Sequence, residues 1–428
     1  MKITRGIYNA LITLLSPVLL WKVSKETTEL NNFSERLGYT PSLPIKPVIW
    51  LHAASVGEVI AATPLITRLQ KEFEDHLLVV TTVTATGARQ ARKALKGKGV
   101  QLMLPLDLPW VAARFLDRLK PKVAIFMETE LWPNFIYGCQ EREIPFVIAN
   151  GRLSDKSLQS YRKLQSVLET ALAGISAVAA KSLKDAQGFI DLGVPSDRVK
   201  VTGSIKFDVA PERGLLESAK IVRAEQFGER PVWVAGSTHN GEDEKIIFAH
   251  KKVLEQYPNA VLIIVPRHPQ RFDAVAHLVE SAELPFVRRS SNQVLSEQDS
   301  VYLVDSMGEL MLMYACADIA FVGGSMMPIG GHNLLEPACL GKPVLSGIHL
   351  FNFADVAEMF DQEQALIRCD NADALADELI GLWQDPAQIT DLGQRALQVV
   401  SNNRGALEKQ FQLIKNSMQK QVVNEPAN

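Results

Sequence analysis

The sequence predicts an α/β protein made of two doubly wound domains, each a parallel sheet covered by helices. Three observations lead there. From residue 46 onward, twelve short apolar runs alternate with longer helical stretches. The runs are apolar on successive residues instead of every second one, which marks strands buried on both faces. The rhythm also breaks once, near the middle of the chain. Composition agrees: 428 residues, 47% hydrophobic and 22% charged, allow two or three domains with a core in each half and exclude disordered or collagen-like chains.

Residues 1–25 stand apart. Lys2, Arg5, Lys22 and Lys25 are the only charges there, and sixteen uncharged residues lie between Arg5 and Lys22. As a helix these reach ~24 Å, short of the ~30 Å hydrocarbon core of a bilayer. Ile7, Leu11, Leu14, Leu15 and Val18 fall on one face, Asn9, Thr13 and Ser16 on another, and Pro17 interrupts the run. No small-residue cleavage site follows, so the segment reads as a membrane-docking helix with Trp21 and the lysines at headgroup level. The competing reading is a helix packed on its own domain.

The first domain, residues 26–207, carries the runs 47–52, 77–82, 100–106, 122–127, 145–150 and 175–180. The stretch FDVAPERG (207–214) has no apolar run and marks the junction. The second domain, 208–428, carries 231–236, 260–265, 301–305, 318–324, 343–347 and 365–369, and 385–419 reads as two helices. Chains of this layout often return a terminal helix to the first domain, a point the sequence leaves open.

Lys plus Arg is 45 against 48 Asp plus Glu, a net of −3, so no general electrostatic attraction to nucleic acid is expected, and no nucleic-acid-binding signature is present. The four cysteines (Cys139, Cys316, Cys339, Cys369) form no CxxC pair and suit a reducing compartment. The eight histidines are scattered, no metal-ligand set is evident, and Walker A, HExxH, GxSxG and GxGxxG patterns are absent. His52, at a strand end, reads as a packed, hydrogen-bonded residue.

Ligands of doubly wound sheets bind beyond the carboxyl ends of the strands, so the loops there are the place to look. After 47–52 comes Ser55-Val56-Gly57-Glu58, a strand-to-helix turn with accessible backbone N–H groups and a carboxylate in the first helical turn. Its plainer role is to complement the helix dipole. After 122–127 come Glu128 and Glu130, two carboxylates at the end of a buried strand, costly unless paired or used. Continued strand alternation would send both to one side. Lys206 sits in the Gly/Ser loop TGSIKFD before the junction, where a lysine can meet a phosphate as a point charge. In the second half, four successive strand ends carry polar or glycine-rich loops: Ser237-Thr238-His239, Pro266-Arg267, Met307-Gly308-Glu309, and Gly330-Gly331-His332-Asn333-Leu334-Leu335-Glu336. Each alone is ordinary turn chemistry; together they describe a nucleotide-sized site.

The strings HAASVGE, METELWPN, TGSIKFD, STHNGED, VPRHPQRF, MGELMLMY and FVGGS…GGHNLLEPA, in this order, closely resemble the bacterial 3-deoxy-D-manno-octulosonic acid (Kdo) transferases. The resemblance implies the GT-B fold, two Rossmann-like domains facing across a cleft. It implies CMP-Kdo as donor and the lipid A precursor, an acylated and phosphorylated glucosamine disaccharide, as acceptor, at the cytoplasmic face of the bacterial inner membrane. It places the general base at Glu58 and transition-state stabilisers at Glu128 and Lys206. The CMP contacts fall on Pro266, Arg267, Met307, Gly308, Glu309, Asn333, Leu334, Leu335 and Glu336. Leu334 stands where the family often has proline. Ser55, Gly57, Ser237, Thr238, His239, Gly330, Gly331 and His332 are further candidate donor or acceptor contacts. No cofactor or metal is expected, because a single phosphate leaves with CMP. Arg36, Lys46 and the early lysines are candidates for attracting the acceptor's phosphates. The alternatives are another GT-B transferase or an epimerase acting on a uridine-linked sugar, and a membrane-bound nucleotide-binding protein without catalysis.

Overall fold

The structure is a computed structural model that describes residues 5–25, 33–163 and 165–423; for 22–25 and 420–423 it describes the backbone alone. Lys2 and the side chains of Lys22 and Lys25 lie outside the described residues. The chain forms two compact units. The first ends at Asp208 and resumes at Arg404; the second runs from Val209 to Asn403.

The first unit is built on a seven-stranded parallel sheet: β1 (Val48–His52), β2 (Leu77–Thr82), β3 (Val100–Met103), β4 (Pro121–Met127), β5 (Phe146–Gly151), β6 (Ala177–Ala180) and β7 (Val199–Val201), in the order β3-β2-β1-β4-β5-β6-β7. Trp50 pairs in register with Val79 of β2 and Ala124 of β4. Its indole is fully buried, meets Phe115, Phe126 and Phe135 edge-on and donates to Thr81 Oγ1 at 2.9 Å. Successive residues of β1 serve opposite cores, with Trp50 on one face and Ile49 and Leu51 on the other, so the run has no polar alternation.

The second unit repeats the plan: β8 (Val232–Thr238), β9 (Val261–Pro266), β10 (Phe286–Arg288), β11 (Val301–Leu303), β12 (Ile319–Val322), β13 (Val344–Ser346) and β14 (Leu366–Arg368), in the order β10-β11-β9-β8-β12-β13-β14, all pairs parallel. All twelve predicted runs are strands. The two strands without a predicted run, β7 and β10, are three-residue strands at the edges of their sheets. One flank of each is unpaired, so they carry polar residues (Lys200, Arg288) and leave no apolar signal.

The helix Pro386–Asn402 belongs to the second unit, whereas Ala406–Val423 returns to the first and sets Phe411 and Ile414 into the core beside Ile49 and Leu51. Asp208 accepts hydrogen bonds from the N–H groups of Gly405 and Leu407, both at 2.7 Å, and so caps this returning helix. The unit boundary therefore falls after Asp208, one residue beyond the predicted 207.

Residues Arg5–Lys25 form one helix that contains Pro17. Its first turns are fastened to the first unit: Arg5 pairs with Glu141 at 2.8 Å and lies over the Tyr137 ring, and Tyr8 donates to Asp107 at 2.9 Å. Further along, Leu11, Leu14, Leu15, Val18 and Trp21 are exposed on one face. Among the described residues no helix is long and apolar enough to cross a membrane. One expectation is corrected. Arg36 is buried, and its guanidinium is held by the carbonyls of Leu104 and Val83, so it braces loops instead of meeting a ligand phosphate. Lys46 is exposed and donates to the Glu74 carbonyl at 3.5 Å.

Candidate functional site

In the first unit β1 and β4 are neighbours, and their onward connections leave in opposite directions, to β2 and to β5. The crevice between their carboxyl ends is the topological switch point. The loop after β1 carries Glu58 and the loop after β4 carries Glu128 and Glu130, so sheet order brings together carboxylates that the sequence holds far apart.

Glu58 stands in the first turn of helix Val56–Glu72, whose N-cap is Ser55. Its carboxylate accepts from the N–H of Ala54, the residue before the N-cap, at 2.8 Å and from the Ser55 hydroxyl at 3.0 Å, while the Ser55 hydroxyl accepts from the Glu58 N–H at 3.4 Å. Burial pushes this carboxyl up to about 7, against the pull of the Ala54 N–H; the negative charges of Glu130 and Glu128 raise it further, and the Ser55 hydroxyl opposes them. Two of the roughly four lone-pair sites of a carboxylate are used by the cap, which leaves others for a ligand. Gly57 is exposed, and a Cβ there would meet the Ser55 hydroxyl at 4.0 Å, an ordinary contact.

The strand β4 stops at Met127, and Glu128 takes a left-handed conformation with φ of 57°. Its side chain pairs with the half-buried Lys181 at 3.0 Å. The strand does not continue to Glu130, so the condition for alternation to place both carboxylates on one side is not met, yet both act on Glu58 through their charge. Glu130 accepts from the Trp132 indole at 2.8 Å and lies 3.6 Å from Nε2 of His52. Burial would raise the Glu130 carboxyl, but His52 and Trp132 together hold it below its ordinary value. His52 is fully buried, with Nδ1 3.0 Å from the Thr81 hydroxyl. Its Nε2 has no hydrogen-bond partner, so its link to Glu130 is electrostatic contact at longer range. Lys206 lies in the 3₁₀ turn Ile205–Phe207, which packs against helix Val56–Glu72, the element that carries Glu58. The turn is held by Asn150, whose Oδ1 accepts from the Ile205 N–H at 3.2 Å, and by Gln410 of the returning helix, which binds Asn150 N–H and Thr202 Oγ1. His52 is the packed, hydrogen-bonded residue the sequence predicted, whereas Lys181 and Gln410 are supporting residues that no motif had marked.

The second unit has its switch point between β8 and β12. After β8, Ser237 is buried in a left-handed conformation with φ of 58°, and the hydroxyl of the buried Thr238 donates to Asp243 at 2.6 Å. The Thr238 carbonyl accepts from the Arg267 N–H at 3.0 Å, which ties the β8 loop to Pro266-Arg267 after β9. Arg267 itself is exposed. Glu242 stands in the marked STHNGED string, but sequence reasoning assigned it no role. It is fully buried and accepts from four backbone N–H groups: His239 at 3.3 Å, Gly324 at 2.7 Å, Ser325 at 3.1 Å and Met326 at 2.9 Å. A Cβ on Gly323 would lie 2.8 Å from the Glu242 carboxylate, so that glycine is required by the approach.

His239 and His332 bring their Nε2 atoms to 2.7 Å, with His268 packed edge-on against His239. Burial pushes both members of the pair down to about 4, helped by neighbouring positive charge. Gly330 and Gly331 have φ of 108° and 75°, and a Cβ at Gly330 would strike Asn352 and Phe351. Leu334 and Leu335 have fully buried side chains, so they offer only backbone, and the Leu335 N–H is taken by Asn333 Oδ1 at 3.2 Å. Glu336 accepts from Asn333 Nδ2 at 3.2 Å; burial raises its carboxyl while the Asn333 bond and Arg267 oppose it. Gly308 has φ of 93°, Met307 is exposed, and Glu309 is held by Arg289 at 3.0 Å and by the Ser306 hydroxyl. Among the described residues no three His, Cys, Asp or Glu side chains gather into a metal-holding group.

A family model described as 3-deoxy-D-manno-octulosonic-acid transferase (kdotransferase) matches residues 31–209. The chain is 40% identical to the 3-deoxy-D-manno-octulosonic acid transferase of Haemophilus influenzae over 98% of its own length and 100% of the relative's. It is 33% identical to the enzyme of that description from Bordetella pertussis, over 95% and 97%. Two solved structures align with a TM-score of 0.54: UDP-GlcNAc 2-epimerase from Neisseria meningitidis, at 16% identity over 86% of this chain and 100% of that one, and MurG of Acinetobacter baumannii, at 12% identity over 87% and 99%. At such identities the likeness is one of fold, the GT-B fold of two doubly wound units.

Proposed function

The chain belongs to the 3-deoxy-D-manno-octulosonic acid transferase family and is a glycosyltransferase, and from that premise we propose its donor, acceptor and mechanism. The donor is CMP-Kdo, the acceptor is the lipid A precursor, and Glu58 is the general base. The observation that carries the mechanism is Glu58 itself: a carboxyl raised to about 7, at the switch point, beside two further carboxylates. A general base is most effective when its pKa lies near the working pH. An alcohol needs such a base, because its own proton leaves reluctantly at neutral pH.

Glu58 takes the proton from the acceptor hydroxyl as its oxygen attacks the anomeric carbon of the donor. The bond from that carbon to the phosphate oxygen breaks, and its electrons leave with CMP. One displacement inverts the anomeric configuration. Glu128 supports positive charge developing on the sugar, and Lys206 answers the anionic groups of the donor. CMP is held by the second unit: Arg267 toward the phosphate, the backbone of Pro266, 307–309 and 333–335 around the nucleoside, and Glu336 on the ribose hydroxyls. Metal independence is part of the same proposal: one phosphate leaves, and Arg267 and Lys206 are the cations assigned to meet it in place of a divalent ion.

The exposed stripe Leu11, Leu14, Leu15, Val18 and Trp21 supports docking on a lipid surface, where a lipid-anchored acceptor is found. We place the enzyme at the cytoplasmic face of the bacterial inner membrane. The test incubates the enzyme with CMP-Kdo and a tetra-acylated lipid A precursor in vesicles with excess chelator, and weighs the lipid by mass spectrometry. A mass gain of whole Kdo units is expected. An unchanged lipid would sink the donor–acceptor assignment, and a gain seen only after a divalent ion is restored would overturn metal independence.

A further inference from the structure

The helix Pro133–Glu141 begins directly after the loop that carries Glu128 and Glu130, yet its own N-cap position, Trp132, supplies no side-chain cap. The cap comes from elsewhere. Asp107, in the loop between β3 and helix Pro109–Leu119, is buried and accepts from the Asn134 N–H at 3.2 Å and the Phe135 N–H at 3.1 Å; its carbonyl accepts from Asn134 Nδ2 at 2.7 Å. The same carboxylate takes a further bond, at 2.9 Å, from the Tyr8 hydroxyl of the N-terminal helix. Arg5, three residues earlier, grips the far end of helix Pro133–Glu141 through Glu141 and the Tyr137 ring. The first turns of the N-terminal helix therefore hold both ends of the helix whose start fixes Trp132, and Trp132 donates directly to Glu130. Burial pushes the Asp107 carboxyl up to about 7, and the Asn134, Tyr8 and Phe135 donors oppose that shift, so the charge of the cap depends in part on Tyr8.

We infer that Tyr8 and Asp107 are positioning residues for the transfer reaction: the N-terminal helix, besides meeting the membrane, sets the carboxylate loop 128–132 through the cap of helix Pro133–Glu141. This rests on the proposed roles of the loop. It concerns the docked base of the helix, and the exposed stripe from Leu11 to Trp21 is a separate surface.

The test is Tyr8→Phe in the full chain, which removes one hydroxyl and keeps the ring. The expected result is a roughly tenfold fall in kcat, the scale of a small misplacement of a reacting group. KM for CMP-Kdo and for the lipid acceptor should hold, co-sedimentation with anionic vesicles should be unchanged, and amide exchange should quicken across 128–137. Asp107→Asn, which places an amide where two N–H groups donate, should fall further in the same sense if it folds. A Tyr8→Phe enzyme with unchanged kcat overturns the inference. So does a loss confined to KM or accompanied by loss of vesicle binding, since that describes an anchor only. A wild-type chain with no transfer at all would instead strike the functional reading on which the inference stands.

Discussion

At its switch point the first unit keeps three carboxylates, Glu58, Glu128 and Glu130, in partly accessible positions, whereas the second unit commits a fully buried one, Glu242, to backbone. Both units have the same seven-stranded parallel plan with the switch beside the first strand. The difference lies in what the carboxylates meet. Burial raises Glu58 most, one N–H and one hydroxyl oppose it, and the negative charges of Glu130 and Glu128 add to it, which brings the carboxyl to about 7. Glu242 accepts four N–H groups and holds the loop 324–326 in one shape. One plan thus yields a carboxylate with open lone pairs and a carboxylate bound wholly by backbone. A carboxylate with spare lone pairs can do chemistry; one fully satisfied by backbone can only shape what surrounds it.

Exchanging the two behaviours is the strongest way to test that contrast. Glu58→Gln retains volume but cannot take a proton, so transfer should fall by ~10²–10⁴-fold, the usual contribution of a general base. CMP affinity should hold. In the wild type, the rate should decline as pH drops below about 7, where Glu58 becomes protonated. The stability effect has the opposite sense. The native carboxyl holds its proton to a higher pH than the unfolded one, so the stability it lends is present at low pH and is lost as pH rises from the ordinary carboxylate value of 4.5 to about 7. Glu58→Gln should flatten that decline in a denaturant titration. Near wild-type turnover in a stable Glu58→Gln enzyme would erase the distinction between the units and move the base to Glu128.

Glu242→Gln tests the other side. An amide in that position leaves at least one N–H of the 324–326 loop without an acceptor, at a cost of roughly 3 kcal/mol in folding stability. The donor KM should rise with the damaged loop while the pH dependence of kcat stays in place. A thermal midpoint and donor KM equal to wild type would show that the clamp is dispensable. Glu336→Gln is expected to act most narrowly: CMP binding weakens by roughly ten- to a hundredfold, as for the loss of a charge-assisted hydrogen bond, with folding nearly unchanged. Calorimetry showing unaltered CMP affinity would remove Glu336 from the nucleotide site.

The sequence was most readable where burial is local. Each of the twelve apolar runs is a strand, because a strand covered on both faces must be apolar at consecutive positions whatever its neighbours are. The edge strands β7 and β10 escaped for the converse reason. In the site, motif positions were legible and their partners were not. The SVGE string placed Ser55 and Glu58 at a strand-to-helix turn with the carboxylate in the first helical turn, and they stand there, bonded to each other. That Glu128 would turn left-handed and take Lys181 was not legible, since the lysine comes from the loop after another strand. Glu242 lay inside a motif already marked, but its four donors belong to residues as far away as 324–326. Arg36, taken for a surface cation, is held inside by two carbonyls.

Taken alone, the chain determines its class, its division near residue 208, and the loops that hold polar residues at strand ends, because these follow from hydrophobic period and turn chemistry over a few residues. Only the tertiary structure decides that β1 lies beside β4 and β8 beside β12, and hence that Glu58 meets Glu128 and Glu130, that the returning helix braces the Lys206 turn through Gln410, and that Tyr8 reaches Asp107. Strand order is a choice among non-local pairings that satisfy the same local pattern equally well. It is settled by how the whole set of strands and crossovers can pack with right-handed connections around one core, and no short window of residues contains that information.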